Sequence, residues 1–476
     1  MRTHSGNKDA KLIKAKRESD SDVRKTMRIS VTEGIFSQVY GSLSTIGSGF
    51  ITKFMLILGA SPLQFSLLSA LGQVSAVFQP LGVALTHRLK RRKGACIAIT
   101  AVGRFFTFFL GLALLFPSGS QGIWFLLSLL FISAGLQATG ANIWIAWMSD
   151  MIPLSIRGRF FSRRNQIMLV AGLVVSYIVS FHVDLFEKTQ GWGRDYLSFI
   201  HLDEWFRVEN QAFFLGMIFI FATLLSLFGL TILARQPERE ARKLELRPLV
   251  QIYLEPFKDK NFRLLMVFGV WWMLAIGVGS AFWGPFMLKK LEMGLFRMQL
   301  YGTLHMAASL IAYNFWGRFI DRYGNKTAMK ICVILGGLNP MFWLFLSKEN
   351  YNLLWFEAVI SGFMWAGTAI ITTNFVLSIA GKGKEQVYSG LYGAIAGISM
   401  MTSTLLSGVF YPSSLNIGIR ILEPEQVVFG IGGILRWLTI IPLMAVQEKR
   451  AVPLYRALSQ VFRYMSEMVA YRFKRG

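Results

Sequence analysis

Gly317-Arg318-Phe319-Ile320-Asp321-Arg322-Tyr323-Gly324-Asn325-Lys326 is the stretch that decides the fold of this chain. It places charged residues and two glycines between two apolar runs, one ending at Trp316 and the other extending from Ala328 to Leu346. Each run is long enough to cross a lipid bilayer. A short charged stretch between two such runs predicts a tight hairpin loop at a membrane surface.

The composition of the whole chain is that of a membrane protein. Of its 476 residues, 53% are hydrophobic and only 16% are charged, whereas about 25% of the residues in a soluble domain are charged. The mean hydropathy is +0.46. About twelve windows contain the roughly 17 to 25 apolar residues that a spanning helix needs. They cover residues 33–58, 62–86, 94–116, 122–148, 166–183, 211–234, 262–288, 297–317, 327–347, 352–378, 387–411 and 427–447. We therefore predict an all-α membrane protein with twelve transmembrane helices.

The basic residues are unevenly distributed along the chain. The net charge is +24, with 50 Lys and Arg against 26 Asp and Glu. Most of the basic residues fall in the two terminal tails and in the loops that follow even-numbered helices, which predicts that these segments are cytoplasmic. Residues 1–28 lack the apolar segment of a cleavable signal peptide, so the first helix is expected to act as the insertion signal. We predict a multi-pass protein of the plasma or inner membrane with both termini in the cytoplasm, and no nucleic-acid partner.

Two features divide the predicted helices into two sets of six. Residues 235–261 form a charged stretch with three prolines, which is typical of a cytoplasmic connector. The halves also match weakly, because the offset that places Gln299 on Gln64 also places Gly317 on Gly82. The predicted organisation is a cytoplasmic tail (1–32), an N-terminal six-helix bundle (33–234), the connector (235–261), a C-terminal six-helix bundle (262–447) and a basic amphipathic cytoplasmic tail (448–476).

The C-terminal tail has apolar residues at helical spacing. They are Leu454, Leu458, Val461, Met465 and Met468. This pattern predicts a helix that lies on an anionic lipid surface. A basic tail without a role is the alternative.

Three stretches carry a resemblance to a known family. Residues 317–326 resemble the Gly-x-x-x-Asp-Arg-x-Gly-x-Lys signature between helices 8 and 9 of the major facilitator superfamily. Residues 82–93 resemble the corresponding loop between helices 2 and 3, although Thr86 replaces the acidic residue and the second glycine is missing. Residues 150–153 and 157–159 are similar to the loop between helices 4 and 5. On these motifs the chain is identified as a member of the superfamily, similar to a bacterial-type permease.

The resemblance implies a transporter that works by alternating access, with latches that close one mouth at a time. In the superfamily, the acid of the signature loop sits against the positive end of a helix and a basic partner. Carried onto this chain, Asp321 is expected to face Arg159, Arg163 and Arg164 at the start of helix 5 and to latch the cytoplasmic side. The alternative is a loop that is charged only because cytoplasmic loops are basic. The residues expected to act in gating are Gly317, Asp321, Arg322, Gly324, Lys326, Asp150, Arg157, Arg159, Gly82 and Arg91.

Polar residues recur at helical spacing in predicted helices 1 and 10, which line the central cavity in the resembled fold. They are Gln38, Ser42, Thr45, Gly49 and Lys53 in helix 1, and Glu357, Ser361, Trp365, Thr368 and Thr372 in helix 10. Such stripes face protein or water rather than lipid. For any single residue, ordinary helix packing is the alternative. The residues expected to bind the substrate are Gln38, Ser42, Thr45, Lys53, Asn142, Trp144, Trp365, Thr368, Thr372 and Asn374.

Charged side chains inside the membrane are a further clue, since each is costly to place there. Arg104 and Arg436 lie near the middle of predicted helices, and Lys53 lies in the outer third of helix 1. This excess of positive charge favours an anionic or zwitterionic substrate held by Lys53 or Arg104. Alternatively, Lys53 extends to lipid headgroups. The acids nearest the helices lie at predicted helix ends, which does not favour a proton relay through a deep carboxylate; they are Glu33, Asp150 and Glu357.

His305 is the one group near the middle of a predicted helix that titrates near neutral pH. Together with Arg104, it is the candidate for coupling transport to H⁺ or another ion. The alternative for His305 is a hydrogen-bonded packing residue.

Together these features predict a secondary active transporter of a small solute. The sequence carries no catalytic or metal-binding motif and no phosphate-binding loop, so we expect neither an enzyme nor a cofactor or metal site. Residues 166–181 lack the glycine-rich, proline-containing run of the superfamily's exporters, so drug export is not favoured. A transporter-like receptor or inactive homologue that binds a ligand without flux is the alternative. We expect a monomer whose partners are the solute, the lipid bilayer and a coupling ion.

Overall fold

The fold is described from a computed structural model, which covers residues 3–187, 192–240, 255–380, 384–418, 420–448, 451–457 and 459–460. Apart from one short β-hairpin, the regular elements in these ranges are helices. Eight helical segments in these ranges are long and apolar enough to cross a membrane. The chain is therefore an all-helical membrane protein, while the arrangement of twelve spans stays a prediction. The predicted amphipathic tail lies outside the described residues from residue 461 onwards.

Contacts divide the chain into two compact units. The first unit comprises Met1–Glu245 together with Gly294–Phe296, and the second comprises Leu246–Met293 and Arg297–Gly476. The helices of the first unit are α1 (Thr3–Ser44), α2 (Gly49–Ile57), α3 (Pro62–Arg88), α4 (Lys93–Phe108), a 3-10 helix (Leu110–Leu115), α5 (Gly119–Met151), α6 (Leu154–Leu185), α7 (Trp192–Phe199) and α8 (Val208–Leu233).

The second unit contains the remaining elements. They are a 3-10 helix (Glu255–Lys258), α9 (Lys260–Ser280), α10 (Trp283–Pro285), a π-helix (Phe286–Lys290), α11 (Leu295–Tyr323), α12 (Asn325–Trp343), a 3-10 helix (Tyr351–Leu353), α13 (Leu354–Ile379), α14 (Glu385–Val409), β1 (Leu415–Asn416), β2 (Ile421–Leu422), α15 (Pro424–Leu438) and α16 (Ile440–Ala445). The first two residues of α11 belong to the first unit. Strands β1 and β2 pair antiparallel, with Leu415 opposite Leu422.

Helices within each unit pack closely where small residues let them approach. In the first unit, α5 packs against α3 and α4, and α1 packs against α6 and α8. Gly111 and Gly216 bring two backbones together, since a Cβ on Gly111 would lie 3.1 Å from the Cα of Gly216. In the second unit, α9 packs against α14 and α15, and α12 packs against α13 and α15. These approaches are typical of membrane helices, whose association depends on close packing.

Predicted helix 1 differs from the observed structure at both ends. Helix α1 begins at Thr3, far ahead of the predicted start at residue 33, and ends at Ser44. The chain then turns through Gly47, whose φ of +89° suits a residue without a Cβ. Helix α2 starts behind Ser48, whose side chain accepts a hydrogen bond from the Phe50 N–H. The predicted polar stripe is therefore interrupted, and Lys53 lies on a different helix from Gln38 and Ser42 (a correction to the continuous face).

The stretch 317–326 forms a tight turn, but it is shorter than predicted. Helix α11 continues to Tyr323 and α12 starts at Asn325, so only Gly324 lies outside a helix. Its φ of +85° and ψ of 161° define a backbone conformation that is almost exclusive to glycine. The charged residues before it therefore lie on the last turns of a helix rather than in a loop.

Candidate functional site

A small polar cavity in the first unit, here called the arginine cavity, is built around Glu33, Arg104 and Arg164. These side chains come from α1, α4 and α6, and their residues are only 4%, 6% and 8% exposed. The cavity has a volume of about 170 Å³, and its walls also include Gln137 and Trp144 of α5. With Leu230 and Leu233 of α8 also in the wall, five helices meet around one cluster of charges.

Both arginines of this cavity contact the carboxylate of Glu33. Arg104 Nη2 lies 3.2 Å from Glu33 Oε1, and Arg164 Nη2 lies 3.9 Å from Glu33 Oε2. Arg104 also donates to the Ser226 carbonyl at 2.9 Å, and Arg164 Nε donates to the Ser30 carbonyl at 3.1 Å. Buried charges are tolerated only when they are paired and hydrogen-bonded. Glu33 therefore holds both guanidinium groups in place.

The arginine cavity carries more positive than negative charge, because two arginines face one carboxylate. Arg164 lies over the Trp144 ring, 4.6 Å from its centroid, which is a cation–π contact. Arg104 Nε has no hydrogen-bond partner in the described part of the chain. A cavity of this charge attracts an anionic group.

A second cavity of the first unit adjoins the arginine cavity through Gln137, which lines both. It has a volume of about 380 Å³, and Thr45 is in its wall. Gln137 Nε2 donates to Tyr40 Oη and to Ser133 Oγ, both at 2.9 Å. A polar side chain fixed in this way forms part of the walls of both cavities.

The second unit has its own polar cavity, here called the tryptophan cavity, which is defined by Trp283, Trp343, Trp365 and Glu357. The three indoles come from α10, α12 and α13. The cavity volume is about 400 Å³. Its other polar or sulfur-containing lining residues are Ser280, Met287, Tyr301, His305, Asn339, Ser361, Met400 and Arg436.

The Glu357 carboxylate in this cavity is buried and fully engaged. The residue is 2% exposed, Tyr301 Oη donates to its Oε2 at 2.6 Å, and Asn339 Nδ2 donates to its Oε1. Arg436, which is 3% exposed, lies within Coulombic range of it and donates through Nη1 to the Gly336 carbonyl at 3.1 Å. The negative charge of one carboxylate and the positive charge of one guanidinium thus cancel in this cavity.

The predicted substrate-binding residues are only partly brought together. Trp144 lines the arginine cavity, Thr45 lines its neighbour and Trp365 lines the tryptophan cavity. Gln38 and Ser42 instead pack against Gly172 of α6, where a Cβ would lie 2.8 and 2.9 Å from their side chains. The helix-packing alternative therefore holds for that pair.

The other predicted substrate ligands lie outside these cavities. Lys53 forms an ion pair with Glu187, so it is not an unpaired cation that awaits an anion. Asn142 Nδ2 donates to the Ala138 carbonyl at 3.1 Å, and the buried Thr368 hydroxyl donates to the Met364 carbonyl at 3.0 Å. Thr372 and Asn374 are half-buried on α13 and do not line the tryptophan cavity.

The predicted gating residues of the first unit lie in four different environments. Asp150 forms an ion pair with Arg92, the neighbour of the predicted Arg91, which is itself exposed. Arg157 donates to the Ser149 carbonyl at 2.7 Å and thereby caps the end of α5. Arg159 is exposed. Gly82 lies within α3, and the Thr86 side chain lies outside the described part of the structure.

In the second unit, the structure assigns different roles to the residues of the signature stretch. Lys326 Nζ donates to the Met444 and Val446 carbonyls at 2.7 and 2.8 Å, so it joins α12 to the end of α16. Arg322 lies over the Tyr323 ring, 5.4 Å from its centroid. A Cβ on Gly317 would meet nothing within 4 Å. Asp321 is exposed and its side chain makes no hydrogen bond or ion pair with a described residue, so its role as a latch stays a prediction.

Two acids that the structure makes central, Glu33 and Glu357, were not among the predicted site residues, although Glu357 was placed in the polar stripe of helix 10. Glu33 was expected near a helix end, but α1 extends far on either side of it and the residue lies inside a helix. Glu357 does lie in the first turn of α13, yet it is buried. Both carboxylates are therefore buried inside the protein, whereas the sequence placed them at helix ends, and the expectation against a proton relay stays a prediction. The signal was available, since Arg104 and Arg436 each need a buried anion to be stable in a membrane.

Of the two candidates for ion coupling, His305 lines the tryptophan cavity and Arg104 lines the arginine cavity. The His305 imidazole makes no hydrogen bond within the described ranges, whereas Arg104 is bound by Glu33 and Ser37. The role of His305 in coupling stays a prediction.

Comparisons with known proteins agree with this architecture. The family model of the Major Facilitator Superfamily matches residues 35–404. The crystal structure of the nucleoside transporter NupG is similar with a TM-score of 0.63 and 13% identity, over 89% of this chain and 98% of that one. That of a D-xylose–proton symporter gives a TM-score of 0.57 and 14% identity, over 91% and 99%. At such identities the likeness concerns the fold.

A curated relative matches in sequence over a shorter stretch. The Bacillibactin exporter of Bacillus subtilis (strain 168) is 29% identical over 110 residues, which are 22% of this chain and 27% of the exporter. The match thus spans about a quarter of that relative's length. It adds a third transporter to the proteins named here as similar to this chain.

Proposed function

Because this chain belongs to the Major Facilitator Superfamily, a family of membrane transporters, we propose that it is a secondary active transporter working by alternating access. The proposed substrate is a small anionic or zwitterionic solute. In this proposal the chain spans the plasma or inner membrane with twelve helices, and both termini lie in the cytoplasm. The similar proteins are named as a nucleoside transporter, a D-xylose–proton symporter and a Bacillibactin exporter, so their names do not single out one substrate class.

The observation that carries the substrate class is the charge of the arginine cavity. Arg104 and Arg164 share one carboxylate, so one positive charge is left over next to a cavity of about 170 Å³. A carboxylate or phosphate of the solute would balance this charge, and charge-assisted hydrogen bonds to arginine are stronger than neutral ones. Lys53 has no part in this proposal, since Glu187 already neutralises it.

Asp321 remains the proposed cytoplasmic latch. An exposed carboxylate at the end of a helix can form and break an ion pair at little cost, which suits a gate. His305 is the proposed site of coupling to a proton, because its imidazole is free of hydrogen bonds in the described part of the structure and faces a cavity.

Flux measurements in proteoliposomes test the proposal. We expect uptake of one or more anionic or zwitterionic solutes from a panel that also contains neutral and cationic ones, measured with and without a pH gradient. Arg104→Gln should lower uptake about 10-fold or more, the effect of losing a hydrogen bond to a charged group. Arg104→Lys should keep part of the activity.

Lys53→Gln is the matched control, because it removes a positive charge outside the arginine cavity and should leave solute selectivity unchanged. Thermal unfolding of each variant in detergent separates loss of transport from loss of folding. Transport restricted to cationic solutes would contradict the proposal. Binding of an anionic solute without flux under any gradient would instead favour a receptor or inactive homologue.

A further inference from the structure

The tryptophan cavity differs from a general polar cavity in the nature of its walls. Three indoles, one phenol and two thioethers surround about 400 Å³, a volume well within the range of small-molecule sites. An apolar cavity of about 150 Å³ already accommodates benzene. The tryptophan cavity is therefore large enough for a substituted aromatic ring.

Two of the three indole rings, those of Trp283 and Trp343, are held in place by neighbouring rings. Trp283 stacks on Phe429 with the ring centroids 3.9 Å apart and an angle of 3° between the planes. Trp343 meets Trp283 edge to face at 4.5 Å and 72°. Phe286 also packs against Trp343 and Phe429. Because neighbouring rings fix them, these walls are formed before a ligand arrives, which lowers the entropic cost of binding.

The charge of the cavity decides between two ligands that aromatic walls could hold, an organic cation and an uncharged ring. Indole faces attract both, and a free negative charge on Glu357 would favour the cation. Both carboxylate oxygens already accept hydrogen bonds, from Tyr301 and Asn339, and Arg436 lies within Coulombic range. The pair is buried and balanced, so the cavity offers a cation no net charge.

The cavity wall contains a titratable polar group that is available to a ligand. The His305 imidazole lies in the wall and makes no hydrogen bond to the described residues. Whichever its tautomer, it can donate to or accept from a hydroxyl or amide on a ring. Its place among indoles would set the orientation of a flat, polar-substituted ring.

We infer that the tryptophan cavity binds an uncharged aromatic ring that carries a hydroxyl or amide group, held between indole faces and bonded to His305. The inference deepens the proposed function and rests on it, since the ring would belong to the transported solute. It narrows the solute class to aryl-bearing metabolites. Aromatic stacking adds to the affinity beyond the area that is buried.

Ligand-observed fluorine NMR on the full chain in nanodiscs tests this inference, with empty nanodiscs as the background. The probes are 4-fluorophenol, the matched saturated ring 4-fluorocyclohexanol, and the cation 4-fluorophenyltrimethylammonium. We expect 4-fluorophenol to bind about 10-fold more tightly than 4-fluorocyclohexanol, the factor that ring stacking can supply. Equal binding of the two would overturn the inference. Tightest binding of the cation would overturn it as well.

Variants locate the ring in the cavity. Trp365→Leu should weaken 4-fluorophenol binding about 10-fold, whereas Trp365→Phe keeps an aromatic wall and should weaken it less than about 3-fold. His305→Gln should reduce the preference for 4-fluorophenol over fluorobenzene. Unchanged binding in Trp365→Leu and His305→Gln would contradict the assignment to this cavity.

The experiments distinguish a failure of the aromatic-ring inference from a failure of the proposed transporter function. If flux of non-aromatic anions depends on Arg104 and the nanodisc assay shows no aryl selectivity, only the inference is contradicted. Arene binding that depends on Trp365, without flux of any solute, would contradict the transporter proposal and leave an aryl-binding site.

Discussion

The two units of the chain hold their helix ends together in the same way, but they line their cavities with different side chains. In the first unit, Glu238 accepts hydrogen bonds from the Arg92 and Lys93 N–H groups at the start of α4, and Lys93 Nζ donates to the Gln236 carbonyl at 2.9 Å. In the second, Glu448 accepts from Asn325 and Lys326 at the start of α12. Each acid thus caps a helix N-terminus.

The cavities do not share such a pattern. The arginine cavity has one carboxylate between two guanidinium groups, whereas the tryptophan cavity has one carboxylate, one guanidinium and three indoles. The capping contacts use backbone N–H groups and need only one acid and one lysine per unit. A few capping contacts can therefore hold the helix ends in the same way in both units, while the residues that line the two cavities carry different charges.

The largest effect is expected from Glu33→Gln. The change leaves Arg104 and Arg164 buried without an anion, and breaking a buried ion pair in this way costs about 3–5 kcal/mol. Thermal unfolding in detergent measures the loss. Arg164→Gln is the matched variant, because the shorter contact between Arg104 and Glu33, at 3.2 Å, stays intact. It should destabilise the protein less, and an equal loss would mean that Glu33 does not organise the cluster.

Glu357→Gln should have the next largest effect. The amide keeps one acceptor oxygen but places an NH₂ group opposite the Tyr301 hydroxyl or the Asn339 amide, and lost hydrogen bonds to a charged group cost about 1.5–3 kcal/mol each. Unfolding of Glu357→Gln and Glu33→Gln under the same conditions gives the comparison. If Glu357→Gln were as stable as the parent chain, the carboxylate would not be charged and bonded as described.

Gly324→Ala tests the turn in the second unit, for which the first unit has no counterpart. Its φ of +85° and ψ of 161° would place a Cβ in a strained conformation, at a cost on the order of 1–3 kcal/mol. Gly317→Ala is the control, since that glycine is helical and a Cβ there would meet nothing within 4 Å. The control should be neutral or slightly stabilising. Equal unfolding temperatures for both variants would show that the turn tolerates a side chain.

The positions of the helices and turns could be predicted from the sequence better than the residues that line the cavities. Long apolar runs are required to cross a bilayer, so helices such as α5 and α8 are visible in composition alone. The turn at Gly324 was predicted from the spacing of its glycine and charges, although the helices on both sides extend closer to it. The backbone conformation of this turn requires a glycine, and a glycine is visible in the sequence.

The pairings inside the units could not be predicted in the same way. Glu33 meets Arg104 and Arg164 only after three helices are packed, and a carboxylate at a supposed helix end gave no hint of this contact. Lys53 was expected to face the substrate, but Glu187 comes from beyond the end of α6 and neutralises it. Such contacts depend on how each helix is rotated about its axis and on which residues the loops bring close to it. Local sequence patterns do not encode either.

The smallest expected effect tests the similarity of the two units rather than their difference. Glu238→Gln and Glu448→Gln each remove the negative charge of a helix cap, which typically costs about 0.5–2 kcal/mol. The two losses should agree within about 0.5 kcal/mol, because each acid accepts from two backbone N–H groups at a helix start and Glu448 has only one further bond, from Asn325 Nδ2. Glu240→Gln is the control, since this exposed acid lies two residues from Glu238 and should change the unfolding temperature little. Clearly unequal losses for Glu238→Gln and Glu448→Gln would mean that one unit relies on other contacts, such as the bonds from Lys326 to the Met444 and Val446 carbonyls. Combining Glu448→Gln with Lys326→Met would then separate the two contributions, because an additive loss indicates independent contacts and a smaller one indicates a shared role.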